Sequence, residues 1–352
     1  MGDIPIPFGL TFDDVLLEPR KTSVMRNEAS VKTQFSKNIT IDIPLIAAAS
    51  DTVSEPALAI ALAKAGGIAV LHRNCSVEDQ LAMVREVKKA GVKVAAAIGP
   101  TDVERARLLD EAGVDAVVMD CAHAHAPGII EAAKKIKSFL KADFVVGNIV
   151  TAEAARDFAP YADAFKVGIG PGSICTTRIV SGVGVPQLTA IQNVVSVAHK
   201  KQIPVIADGG IRASGDMVKA FAMGASSVML GSLFAGTEEA PGDVVVVSGK
   251  KYKVYRGMGS KEALEKRHAV DRYAQDVGNH TPEGISGMVP FRGTVKEFTN
   301  QMVNGIRSGM GYIGAPTISD IKKQARFIRI TSAGLMESHP HSLTMRPERE
   351  EQ

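Results

Sequence analysis

A glycine-rich segment surrounds one cysteine in the middle of the chain, and its residue types suit nucleophilic chemistry. This segment, residues 168–187 (the Cys-loop), holds five glycines, two prolines and Cys175. Hydroxyl side chains and Arg178 flank the cysteine, and a thiol beside a cation and free backbone amides is typical of cysteine nucleophiles. The same composition also fits a glycine-rich linker with an incidental cysteine, so the residues alone leave both interpretations open.

Bulk composition excludes several classes of protein. The 352 residues are 45% apolar and 22% charged, which is ordinary for a globular protein. A net charge of +3 gives no reason to expect a nucleic-acid partner. The three cysteines are odd in number and far apart, which indicates neither a disulfide framework nor a metal site and favours a reducing cytoplasm. No stretch predicts a membrane span or an N-terminal signal.

A repeating β/α rhythm predicts the fold. Eight short apolar runs predict buried strands at 44–48, 67–72, 92–98, 116–119, 144–150, 164–167, 204–207 and 227–230. Helical patterns follow most of them, at 54–65, 76–90, 101–112, 127–140, 151–158, 188–200 and 214–223, and Thr101 to Glu104 spells a capping box. Eight such units predict an α/β fold, a (β/α)8 barrel, with a doubly wound open sheet as the alternative.

The predicted boundaries give one catalytic domain over residues 1–352. The barrel takes about 43–240 and 294–330, with a last helix over 294–308. Residues 241–293 break the rhythm and include a hairpin around 249–255, so they predict a lid over the catalytic face, or else a surface excursion or dimer arm. Residues 331–352 form a C-terminal tail in which His339 and His341 are close enough in sequence to form a metal pair, although nothing else supports one.

Polar residues fall at the ends of the predicted strands, where barrels place their chemistry. They occur at 50–52, 72–74, 120–123 and 148. Glycines cluster after the last three strands, with Asp208-Gly-Gly before one helix and Gly231-Ser232 after strand eight. Backbone amides at such positions bind phosphate, so these two loops predict a phosphate site.

Together, the motifs at 168–187, 208–215, 255–260, 271–273 and 337–341 resemble the inosine-5′-monophosphate (IMP) dehydrogenase family, and the resemblance runs from Leu10 to His341. It implies oxidation of IMP to XMP with NAD, in guanine nucleotide biosynthesis. Cys175 is then the nucleophile that attacks C2 of the purine, and Arg272, with Tyr273 beside it, activates water for hydrolysis of the thioimidate. Thr177 assists that water.

The resemblance also implies the ligand sets. Those for IMP are Ser173, Asp208, Gly210, Gly231, Ser232, Tyr255, Gly257, Met258, Gly259 and Glu283. Those for NAD are Asp120, Asn148 and Gly168. A potassium ion takes main-chain carbonyls of Gly170, Gly172 and Cys175 and, from a neighbouring subunit, Glu337, Ser338 and His339, which implies a homotetramer.

The chain departs from the family pattern in two ways. The paired regulatory (CBS) domain that the family usually inserts between the second helix and the third strand has no room here. Ser50 stands where Met is usual, Cys121 and Ala126 replace common hydroxyls, and Ala124 replaces a usual Gly. Other functions stay open: a GMP reductase using NADPH, a flavin-binding oxidase with a similar phosphate loop, or a nucleotide-binding homologue without activity.

Overall fold

Eight parallel strands close into a barrel in the computed structural model, which describes residues 6–265 and 281–340. The strands are β1 (Leu45–Ala47), β2 (Ile68–Leu71), β3 (Ala95–Ile98), β4 (Ala116–Asp120), β5 (Asp143–Ile149), β6 (Ala164–Val167), β7 (Val205–Asp208) and β8 (Ser227–Leu230). Each strand pairs with the next, and β8 returns to β1 through the pairing of Met229 with Ile46. The predicted barrel is confirmed, and the open-sheet alternative is excluded.

Helices surround the barrel. They are α1 (Pro56–Lys64), α2 (Val77–Lys89), α3 (Val103–Glu111), α4 (Pro127–Lys137), α5 (Ala152–Phe158), α6 (Thr177–Val180), α7 (Gln187–Ala198), α8 (Ser214–Met223), α9 (Ser232–Ala235), α10 (Lys261–Glu265), α11 (Val295–Ile313), α12 (Ile318–Gln324) and α13 (Ser332–Glu337). Within the two described ranges, no helix is long and apolar enough to cross a membrane.

Apolar side chains of mixed size fill the barrel interior. Ala95, Ala97 and Ala116 point inward with Val118 and Met229, and all are buried. The outward positions are buried against the helices, which explains why the strands are apolar on both faces.

Segments outside the repeats close the barrel and join its termini. Two short strands, Thr33–Gln34 and Thr40–Ile41, form a hairpin whose neighbour Phe35 is fully buried among the interior residues. Val15–Leu17 pairs antiparallel with Phe327–Arg329, so the N-terminal segment is held by the segment that follows α12. These pairings tie both ends of the described chain to the barrel.

A three-stranded antiparallel sheet, here called the flap sheet, rises from the chain after β8. It consists of β9 (Val244–Val247), β10 (Lys250–Arg256) and β11 (Ser286–Pro290), with β10 in the centre. The hairpin predicted around residues 249–255 is therefore present. Lys253 anchors the sheet, because its buried ammonium donates to the carbonyls of Thr237, Glu238 and Ala240.

Helices α3 and α11 are among those whose boundaries differ from the sequence predictions. The capping box predicted from Thr101 to Glu104 does not form, because Asp102 is the N-cap and accepts from Arg105 N at 3.1 Å. Helix α11 starts at the predicted position with a true capping box at Thr294 and Glu297, but it runs to Ile313 rather than to residue 308. Buried apolar residues continue along that helix until Gly314 ends it in a left-handed conformation.

Candidate active site

A cleft opens at the carboxyl ends of the barrel strands. The cleft is lined from β4, β5, β6 and β7, from the Cys-loop and from the base of the flap sheet. Twelve of the predicted site residues line it: Asp120, Asn148, Gly168, Gly170, Gly172, Cys175, Thr177, Asp208, Tyr255, Gly257, Met258 and Glu283.

Cys175 lies half-buried in this cleft at the start of the short helix α6. Its thiol donates to the hydroxyl of Thr177, with 3.2 Å between Sγ and Oγ1, and its backbone amide donates to the Gly172 carbonyl at 3.1 Å. The amide turn fixes the Cα–Cβ direction, and the hydroxyl fixes the sulfur. A positioned thiol beside a hydroxyl is an arrangement that supports nucleophilic attack on a substrate and hydrolysis of the resulting covalent adduct.

Arg178 holds the Cys-loop closed rather than serving the thiol. Its guanidinium donates to the carbonyls of Ile169, at 3.2 Å, and Val185, at 2.6 Å. The side chain passes between two glycines, because a Cβ on Gly170 or Gly184 would lie within 2.7 Å of it. The glycines of this loop are thus needed for the passage of an arginine, which the sequence alone does not reveal.

The flap segment completes the cleft by pairing with the Cys-loop. The amide of Thr176 donates to the Glu283 carbonyl at 3.1 Å, and the amide of Ile285 donates to the Ile174 carbonyl at 3.0 Å. Cys175 and Gly284 form an antiparallel bridge between these bonds. Glu283 is thereby brought into the same cleft as the thiol, across about 108 residues of sequence.

A second cleft continues from the first toward the loops after β7 and β8. Pro171, Gly172, Asp208 and Gly209 are shared by the two. The predicted phosphate residues Ser173, Gly210, Gly231 and Ser232 line the second cleft, together with Arg212. Because the two clefts are continuous, one elongated ligand can occupy both.

Tyr255 stands where the two clefts meet and lines both. It is 7% exposed, and burial raises the pKa of its phenol above the ordinary value, with the nearby carboxylate of Asp208 adding to the effect. The hydroxyl therefore stays protonated and available as a donor. It lies directly against Gly231, where a Cβ would overlap the phenol oxygen.

Lys166 connects three of the predicted site residues and was missed by the sequence analysis. Its ammonium bonds to Asp120 Oδ1 at 3.0 Å, to Asp208 Oδ2 at 2.6 Å and to the Asn148 side-chain oxygen. Asn148 Nδ2 in turn donates to Gly168 O at 2.6 Å and to Asp208 Oδ2 at 3.1 Å. The sequence feature that could have identified Lys166 is its position as a charged residue within an apolar strand.

Several predicted residues lie elsewhere. Gly259 is outside both clefts, although its carbonyl accepts from the Glu283 amide at 3.0 Å. Glu337, Ser338 and His339 are exposed at the end of α13, where Ser338 and His339 bond to carbonyls of their own helix. Arg272, Tyr273 and His341 lie outside the described residues.

Comparison with known proteins defines the class. The family model for the IMP dehydrogenase / GMP reductase domain matches residues 9–341. The chain belongs to the IMP dehydrogenase / GMP reductase family, and it is an oxidoreductase.

Individual relatives are similar over nearly their whole length. The chain is 44% identical to inosine-5′-monophosphate dehydrogenase of Cryptosporidium parvum, over 97% of this chain and 97% of that protein. It is 45% identical to the enzyme of the same name from Borreliella burgdorferi, over 95% of this chain and 97% of that protein. The Helicobacter pylori enzyme of that name is 39% identical, over 96% of this chain and 97% of that protein. The family resemblance found in the sequence motifs is therefore confirmed.

Proposed function

We propose that this chain oxidises IMP to XMP with NAD through a covalent adduct on Cys175. The observation that carries the proposal is the position of the Cys175 thiol in a cleft that continues into the glycine loops after β7 and β8. A purine nucleotide whose phosphate rests on those loops presents its base toward the thiol. The relatives named for this activity support the same substrate.

Each part of the nucleotide has chemically suitable partners. Backbone amides and hydroxyl groups at Ser173, Gly210, Gly231 and Ser232 suit a phosphate, with the Tyr255 phenol as a further donor. The Asp208 carboxylate suits the ribose hydroxyls. Met258, with Gly257, and Glu283 line the end of the cleft where the base lies, and Gly259 supports Glu283 through its carbonyl.

The chemistry runs in two stages at one carbon. The Cys175 thiol releases its proton to solvent as its sulfur adds to C2 of the purine, and the C2 hydrogen then leaves with its electron pair, which gives a thioimidate. The nicotinamide ring of NAD, when bound, accepts that hydride. Water then adds to the same carbon, the C–S bond breaks and XMP leaves, which restores the thiol. Thr177, in contact with the sulfur, is placed to orient the water, and Arg272 with Tyr273 is assigned the role of activating it.

The residues present also suit the cofactor and a monovalent cation. Asp120 offers a carboxylate for a ribose hydroxyl pair, beside Asn148 and Gly168 in the cleft wall. Carbonyls of Gly170, Gly172 and Cys175 are hard oxygen ligands that suit potassium, with Glu337, Ser338 and His339 supplied by a neighbouring copy. We infer a homotetramer with a shared cation site, in the cytoplasm, where cysteines outside disulfide bonds, such as Cys75, Cys121 and Cys175, persist.

The domain organisation is part of the same proposal. Helix α2 ends at Lys89 and β3 begins at Ala95, so five residues separate them. We propose a single catalytic domain, with residues 241–293 as its flap and residues 331–352 as its tail, that lacks the inserted regulatory module and responds to no nucleotide through it.

Mass spectrometry of the protein incubated with IMP and NAD tests the function. We expect a purine adduct on the peptide that carries Cys175, none in Cys175→Ala, and an unchanged adduct in the control Cys75→Ala. Cys175→Ala should still bind IMP. Absence of the adduct, with release of ammonia and IMP from GMP and NADPH, would establish GMP reductase instead. Tight IMP binding without turnover would indicate a binding protein.

A further inference from the structure

Lys166 is a charged residue buried in the barrel wall, just below the cleft. It lies on β6 with 2% of its side chain exposed. Its strand neighbours Phe165 and Val167 are fully buried. A buried ammonium is costly unless it is paired, and here its partners come from β4, β5 and β7, one on each strand.

The backbone next to Lys166 is shaped to accept this side chain. Gly147 on β5 is its cross-strand partner. A Cβ at Gly147 would lie 2.5 Å from the lysine Cβ and 3.1 Å from its Cε. The missing side chain lets the lysine lie along the strand and reach the carboxylates at the cleft, so the glycine and the lysine form one built feature.

The pairing leaves two carboxylates on one ammonium. Asp120 Oδ1 and Asp208 Oδ2 bond to the same nitrogen, so the ammonium lies between two carboxylates at the base of the cleft. Gln187 also reaches Asp208, but it donates to the backbone carbonyls of Val167 and Asp208 rather than to the carboxylate. The orientation of the Asp208 carboxylate therefore depends on Lys166 and Asn148.

We propose that Lys166 is a positioning residue shared by two ligand subsites: it orients Asp208 for the ribose hydroxyls of the substrate nucleotide and Asp120 for a hydroxyl pair of the dinucleotide. The inference rests on the proposed function for the identity of these ligands. The Lys166 ammonium thus makes the two subsites interdependent, because a change at either carboxylate alters the interaction of the ammonium with the other carboxylate.

The test compares IMP with 2′,3′-dideoxy-IMP, which keeps the base and phosphate but lacks both ribose hydroxyls. In the unaltered full chain, IMP should bind at least tenfold more tightly, as expected for hydrogen bonds to a charged group. In Lys166→Met this preference should fall below about threefold, chiefly through weaker IMP binding, and the KM for NAD should rise. Lys166→Arg, which keeps the charge, should recover part of the preference.

Lys137→Met is the matched control. Lys137 pairs with the buried carboxylate of Asp163 at 2.5 Å, next to the start of the same strand but at the opposite end of the barrel. Lys137→Met should lose stability but keep the same preference for IMP over 2′,3′-dideoxy-IMP as the unaltered chain. If Lys166→Met weakened both nucleotides equally and left their ratio unchanged, its role would be structural only and the proposal would fail.

A second variant decides the matter even if Lys166→Met does not fold. Asp120→Asn leaves the Lys166 ammonium with one carboxylate, and the ammonium should then move toward Asp208. This movement should lower the preference for IMP over 2′,3′-dideoxy-IMP by about threefold, although the substitution lies in the cofactor subsite. An unchanged preference in Asp120→Asn would overturn the coupling. An unaltered chain that binds neither nucleotide, or prefers neither, would count against the proposed function rather than against Lys166.

Discussion

The guanidinium of Arg256 donates two hydrogen bonds to the Asp51 carboxylate, from Nε to Oδ1 at 3.0 Å and from Nη2 to Oδ2 at 2.6 Å. Asn74 adds a third to the same carboxylate at 2.9 Å. Asp51 lies in the loop after β1 and Arg256 ends β10, so the pair ties the barrel mouth to the base of the flap sheet. Bidentate geometry with little exposure makes this pair one of the stronger in the molecule.

Arg256→Met should destabilise the protein by about 3 kcal/mol at pH 7, because it leaves the Asp51 carboxylate buried without its cation. Burial alone raises the pKa of Asp51, but the hydrogen bonds from Arg256 and Asn74 outweigh it and hold the pKa below its ordinary value. Such a group stabilises the fold above its unfolded pKa of about 4 and loses that contribution as pH falls through the folded value. Urea unfolding should therefore show that the difference in unfolding free energy between the unaltered protein and Arg256→Met narrows as the pH falls toward about 4 and below.

The control for that measurement is Arg156→Met, which removes an exposed pair with Glu153. It should cost much less stability than Arg256→Met, because solvent screens an exposed ion pair. Equal losses in the two variants, or a difference for Arg256→Met that widens in acid, would contradict the argument.

Gly231→Ala should weaken nucleotide binding because its methyl group would displace the Tyr255 phenol from the junction of the two clefts. We expect a loss of tenfold or more in IMP affinity, comparable with Tyr255→Phe, which removes the same donor. In the double variant the added effect of Gly231→Ala should shrink, since the nearest remaining ring atom, Cζ, lies 3.2 Å from the new carbon. Calorimetric titration with IMP measures all four proteins; fully additive losses would rule out the contact.

Thr177→Val should separate the two chemical stages. It removes the hydroxyl that contacts the Cys175 sulfur but keeps the shape of the side chain. Hydride transfer, followed as a burst of NADH, should persist, whereas hydrolysis should slow by about a hundredfold or more and the adduct should accumulate. Thr177→Ser should stay close to the unaltered rate.

Arg272→Ala should give the same pattern as Thr177→Val if this residue activates the water. Rapid-quench analysis of adduct and XMP distinguishes the stages. A variant that lost the burst and the hydrolysis together would argue against a role confined to the second stage.

Cys121 should resist alkylation while Cys175 reacts. Cys121 is 2% exposed, and burial raises the pKa of its thiol to about 11. At pH 8 only about a thousandth of such a thiol is ionised, and the thiolate is the reactive form. Peptide mass spectrometry after iodoacetamide treatment should show Cys175 modified, protection of Cys175 by IMP, and no modification of Cys121. Modification of Cys121 at a comparable rate would show that the barrel opens there.

The sequence predicts the barrel because that fold repeats one simple pattern eight times, and each strand can be recognised by itself. It also predicts that Asp120, Asn148 and Asp208 approach each other, because barrel strands deliver their ends to one face. It does not predict Lys166 as their common partner, since that depends on the register that sets Lys166 opposite Gly147. It predicts Thr101 as a helix cap, and this is wrong because the local backbone makes Asp102 the cap.

The short link between α2 and β3 lies at the amino-terminal ends of the strands, on the side of the barrel away from Cys175. Its Gly91 is exposed and has open space around it. A reporter protein spliced into this link would hang below the barrel, clear of substrate entry and of the flap sheet. The architecture thus separates the active site from the link at which another domain can be inserted, and either can change without the other.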